Sequence, residues 1–160
     1  MQHYRVTKYD PARRDLTGAY LSDDWTAHSD IGQSFAGVAL TEERYLAAEN
    51  AYLESAVAFL KEAGVRELAV VGLENAGEHP NPPRDGAAVS IERLPEVLRS
   101  LLREEYWCKL EGQSAFVHVG WDYYMYIGVL APCPVAESVA QSRGLFVEQI
   151  IRSPYAEDAA

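Results

Sequence analysis

His118 and Asp122 are the two side chains whose types and spacing could do acid/base chemistry. A carboxylate beside an imidazole fixes its tautomer and raises its pKa, which is what a general base requires. The pair lies four residues apart across a predicted reversal, and in a pocket it would serve a small hydrolase or isomerase. The competing reading makes His118, between Val117 and Val119, a hydrogen-bonded histidine of a sheet, and the residue pattern favours it. Donors also concentrate in LSDDWTAHSDIGQSF, where Asp23, Asp24 and Asp30 flank Trp25 and His28. Oxygen and imidazole donors this close could hold a divalent cation. The alternating ligands and closing Glu of a calcium loop are missing, however, and aspartates in loops ordinarily cap and turn the backbone. No metal or other cofactor is expected. Neither nucleotide-binding glycine pattern occurs, nor G-x-S-x-G, nor H-E-x-x-H.

Seven of the chain's aromatic residues fall between Tyr106 and Tyr126. Tyr123, Tyr124 and Tyr126 sit in or beside the reversal, and only one face of a strand can point at a core. The surplus rings are expected at the surface, where Tyr and Trp give rigid contact area at low entropic cost. Trp25, in a loop, is either folded back onto the core or offered to a partner. The candidate binding surface therefore combines Trp25, His28 and Asp30 with Trp121, Asp122, Tyr123, Tyr124 and Tyr126. The same rings could instead line a pocket for a small apolar ligand.

The elements that would position these residues follow from periodicity. Ala115, Val117 and Val119 alternate with Phe116 and His118, a second alternating run covers Tyr123 to Leu130, and Tyr106 to Glu111 supplies a third. Together they predict a three-stranded meander, its last reversal being a loop of three to five residues because no Asn-Gly or Asp-Gly pair is present. Tyr4 to Tyr9 reads as a first strand stopped by Asp10-Pro11, and Ala12 to Leu40 as a long irregular connection. Thr41 caps a helix in which Tyr45, Tyr52, Phe59 and Leu46, Leu53, Leu60 form one apolar face, and Gly64 ends it. Leu68 to Leu73 is a continuous apolar run, expected to be a strand buried on both faces. A segment at Val89 to Ile91, a helix opening at Pro95, a short helix over Val135 to Ser142 and a last strand at Leu145 to Ile151 complete the order. The class is α+β: one domain over residues 1–152 with a mixed or antiparallel sheet, two main helices and one short helix, then a flexible tail over 153–160.

A net charge of −10 with no basic segment makes nucleic acid and anionic membranes poor partners. It favours a basic one, by steering encounter. No run reaches the length of a membrane span and the N-terminus lacks a signal-peptide core, which points to a cytoplasmic setting. Cys108 and Cys133 are too few for a disulfide framework and read as ordinary thiols. At W-C-K-L-E (Trp107 to Glu111), F-V-H-V-G-W-D-Y-Y-M-Y-I-G (Phe116 to Gly128), Y-R-V-T-K-Y (Tyr4 to Tyr9) and S-D-I-G (Ser29 to Gly32) the chain resembles a group of small uncharacterised bacterial proteins. The resemblance implies a bacterial, cytoplasmic origin and carries no catalytic residue with it. The expectation is a non-enzymatic protein of immunity type that binds a basic protein partner, with homo-oligomerisation left open.

Overall fold

The computed structural model describes residues 1–157. Nine strands and three α-helices follow in the order β1 (Gln2–Thr7), β2 (Ser34–Phe35), β3 (Val38–Ala39), α1 (Glu42–Glu62), β4 (Glu67–Glu74), β5 (Ala88–Ser90), α2 (Leu94–Leu102), β6 (Trp107–Glu111), β7 (Ala115–Val119), β8 (Met125–Val129), α3 (Pro134–Ser142) and β9 (Phe146–Ile150). Seven strands form one sheet in the order β5-β4-β6-β7-β8-β1-β9, with every neighbouring pair antiparallel. The fold is α+β, and β6-β7-β8 is the expected meander. β2 and β3 make a separate small hairpin inside the long first connection.

The period of two sorts the sheet into two faces. Tyr4, Val6, Cys108, Leu110, Val117, Met125 and Ile127 point to the core shared with the helices. Their neighbours His3, Arg5, Lys109, Glu111, Phe116, His118 and Tyr126 form the opposite face, which none of the helices among the described residues covers. α1 runs from its cap, where Thr41 Oγ1 accepts the Arg44 N–H at 3.2 Å, to Gly64, left-handed at φ 72°. Tyr45, Tyr52 and Phe59 are wholly buried along it, while Leu46, at the edge of the apolar face, stays 37% exposed. The Leu68 to Leu73 run departs from expectation. The helices cover one face of β4 only, so Leu68 and Val70 are buried while Ala69 and Val71, pointing the other way, are half-exposed. Cys108 and Cys133 are buried thiols, and burial pushes Cys108 up to about 12.

Two local features place side chains that matter below. β4 carries a bulge: Val71 pairs with Lys109, yet the next partner, opposite Trp107, is Glu74. A regular ladder would put Leu73 there. The extra residue sends Leu73 toward the core and brings Glu74 opposite Trp107 on the other face. On β8, Gly128 lies opposite Phe116, and a Cβ there would stand 2.1 Å from the Phe116 ring. The ring thus packs on bare backbone. Gly128→Ala is expected to destabilise the fold by about 1–3 kcal/mol, as overpacking does. Denaturant titration checks this, and an unchanged midpoint would contradict the packing described.

Candidate functional site

The reversal between β7 and β8 spans residues 120–124 and is built from left-handed backbone. Asp122 (φ 58°) and Tyr123 (φ 64°) occupy its centre, and the Tyr124 N–H donates to the Trp121 carbonyl at 3.2 Å. Asn and Gly are the usual residues in such a turn, and a bulky residue there is an outlier. Tyrosine hydroxyls hold it. Tyr9 donates to the Asp122 carbonyl (2.6 Å), Tyr52 donates to the Tyr123 carbonyl (2.7 Å), and the Tyr45 and Tyr123 hydroxyls share a hydrogen bond of 2.7 Å. Behind them Tyr45 donates to Glu49, a wholly buried carboxylate that also accepts from Arg99 and, through both oxygens, from Arg103. Burial alone would push Glu49 up. The two guanidiniums and the Tyr45 hydroxyl outweigh it and hold the group below its ordinary value.

This clamp decides where the expected surface residues go. Tyr123 is 3% exposed and Trp25 6% exposed, packed edge-on against each other, with Lys8 Nζ 4.1 Å above the Trp25 ring. Trp25 is therefore folded onto the core, and the expected surface joining its loop to the reversal does not form. Tyr124 is half-buried: its hydroxyl accepts from Arg14 at 2.6 Å and its ring stacks on Tyr9. Tyr126 is half-buried beside Tyr155. What remains outside is Trp121, 73% exposed at the tip of the clamped turn, with Asp122 next to it.

The acidic loop residues serve the loop itself. Asp23 accepts the Ala36 N–H, Asp24 accepts the Trp25 N–H and pairs with Lys8, and Asp30 accepts from Thr26 and Ala27. His28 lies edge-on against Tyr45. Among the described residues no group of three His, Cys, Asp or Glu side chains is placed to hold a metal ion.

His118 is wholly buried on the uncovered face, yet Asp122 is not its partner. Its Nε2 lies 2.8 Å from Glu111 Oε1 and its Nδ1 2.8 Å from Ser153 Oγ. A carboxylate only accepts, so Nε2 carries the proton and Ser153 donates to Nδ1. Ser153 also donates its backbone N–H to His3 Nδ1. The segment after β9, expected to be loose from residue 153, is thereby pinned across the sheet: Ser153 is buried and Tyr155 half-buried. Residues 158–160 lie outside the described part.

Tyr155 reaches a groove that sequence reasoning missed. A cavity of about 390 Å³ opens beside Trp121, bounded by Glu74, Glu104, Glu105, Trp107, Trp121 and Tyr155. Trp107 is fixed by its indole N–H on the Val119 carbonyl at 2.8 Å, and its ring lies 5.7 Å from that of Tyr155. Gly120 permits this, since a Cβ there would meet the Tyr155 hydroxyl at 2.8 Å. Glu105 pairs with His79, while Glu74 and Glu104 have no ion pair among the described residues. Glu104 follows α2 in a left-handed conformation (φ 58°), where glycine is the usual residue.

Burial holds His118 and His3 below their ordinary value of 6.5. Between those lowered values and 6.5 the unfolded chain binds more protons than the folded one. Their contribution to stability is thus complete above that window and lost as pH falls through it. Glu49, lowered from 4.5, acts only at more acid pH. The denaturation midpoint should fall as the pH is lowered through and below 6.5, and a His3→Gln, His118→Gln double variant should flatten that slope. An equal slope in both proteins would mean that neither histidine is coupled to folding. Compared with protein-family models, with curated proteins and with solved structures, the chain matches none.

Proposed function

We propose that this chain is a non-enzymatic binding protein that captures a basic protein partner on the surface around Trp121. One observation carries the reading: Trp121 is a large apolar ring held in water on a turn that several buried hydroxyls make rigid, beside a groove edged by glutamates. A ring presented this way loses little entropy on contact, and Trp is enriched among the residues that dominate interfaces. The net charge of −10 steers a cationic partner toward it. The immunity-type role expected from sequence is one form of this activity.

The test compares Trp121→Ala with Trp25→Ala. Trp121→Ala should keep the unfolding midpoint within about 0.5 kcal/mol of wild type, as exposed substitutions do. It should also lose about 2 kcal/mol or more of affinity for a basic partner recovered by cross-linking, the cost of a truncated anchor residue. Trp25→Ala should lower stability by about 3–5 kcal/mol because it empties a core site. Full retention of binding by Trp121→Ala would remove the reading.

A different observation favours a second reading. His118 holds a carboxylate and a hydroxyl, the order of an orienting group, a base and a nucleophile, beside a cavity of about 630 Å³. Against it, Ser153 is 2% exposed and its Oγ already accepts the Tyr155 N–H. Hydrolysis of p-nitrophenyl acetate that disappears in Ser153→Ala would support catalysis, and equal rates in both proteins would exclude it.

A further inference from the structure

We infer that the groove beside Trp121 is a receptor for one arginine side chain of the partner. The inference rests on the reading that the partner is basic, and adds which group of that partner is bound and where.

Aromatic and glutamate residues line one cavity here. Trp107 and Tyr155 stand 5.7 Å apart, and Trp121 flanks the opening. The faces of aromatic rings carry negative potential and attract cations. Glu74 reaches the cavity through the bulge in β4, and Glu104 from the end of α2. Neither is neutralised by an ion pair among the described residues, whereas Arg99 of α2 and Arg103, which caps its C-terminal end, are both spent on Glu49. The C-terminal end of α2 adds the negative pole of its dipole to the same wall. Both glutamates are exposed, so their charges stand open to a ligand in the groove; a cation gains their attraction and a neutral or anionic ligand does not.

The geometry separates the two cationic side chains. A guanidinium is planar, weakly hydrated and able to stack on one ring while its nitrogens meet two carboxylates; an ammonium is compact and strongly hydrated. Two aromatic walls with a glutamate from each of two elements suit the first. The volume of about 390 Å³ is near the lower end of ligand pockets, about 300–1,000 Å³, and suits one side chain better than a folded loop.

The probe is N-acetyl-arginine methylamide, with its lysine counterpart as comparison, titrated into the full chain while the indole N–H resonances of Trp107 and Trp121 are followed by NMR. Saturable shifts of both, stronger for arginine, are expected. Glu104→Gln and Glu74→Gln should each weaken binding about fivefold, the scale of a well-placed exposed ion pair. Glu104→Gly is the control for folding. It relieves a left-handed glutamate, so it should hold or raise the melting temperature while losing the same affinity. Absence of saturable shifts, shifts away from the groove, equal response to both amino acids, or indifference to the glutamate substitutions would each overturn the inference. If arginine fails to bind while partner capture still depends on Trp121, only the arginine site falls. Arginine binding without any partner capture would leave the site standing and remove the broader reading.

Discussion

The fold depends on how a strained turn is held. Placing Asp122 and Tyr123 in left-handed backbone costs on the order of 1–2 kcal/mol for each residue. Against that stand hydrogen bonds from the Tyr9 and Tyr52 hydroxyls to carbonyls of the turn and from the Tyr123 hydroxyl to that of Tyr45, each worth about 1 kcal/mol net, and the burial of the Tyr123 ring, worth about 2 kcal/mol. The balance favours the turn, but only if all the partners are in place together. They come from the first connection, from α1 and from the turn itself. The conformation is therefore a product of the assembled core and has no local signature. Glu49 completes the arrangement by joining α1 to Arg99 of α2 and to Arg103 at that helix's C-cap, so that the helix supplying Tyr45 and Tyr52 cannot shift without uncovering a buried charge.

The same accounting explains where the rings went. Ten tyrosines need polar partners when buried. The core supplies them by joining tyrosines to one another, to carbonyls of the turn and to Glu49, so rings that looked surplus to an apolar interior are absorbed by a polar one. Trp25 is covered in the same way, closed over by Tyr45, Tyr123 and the ammonium of Lys8. Trp121 is left out because the left-handed pair beside it directs the Tyr123 side chain inward and leaves its predecessor at the tip.

The main elements were legible in the sequence because they follow short periods. Thr41, the apolar rows of α1 and Gly64 marked one helix from cap to stop, and the alternation around His118 marked the meander. Glu49 carried a readable sign: it sits four residues after Tyr45 and three before Tyr52, a charge on the apolar stripe that only a buried pairing could justify. The groove carried no such sign. Its walls come from positions 74, 104, 105, 107, 121 and 155, brought together by the strand order and by one bulge. His118, in its alternating run, reads as a residue with two possible environments. Its true partners, Glu111 and Ser153, were hidden because one lies across a strand pair and the other in a segment whose composition reads as loose tail.

That segment connects the two regions of the uncovered face. Ser153 is held by His118 and His3, and two residues later Tyr155 forms a wall of the groove. A side chain two positions from a pinned backbone has little room to move, so the position of the Tyr155 ring is set by the histidines as much as by its contact with Trp107. The uncovered face then works as one unit: neutral His118 and His3 fix the strap, the strap fixes a ring, and the ring completes a cavity whose charge comes from Glu74 and Glu104. His118, its ring 6.1 Å from that of Tyr155, has an evident reason to be where it is, since a hydrophobic residue at that position could fill the space but could not hold the strap by its serine.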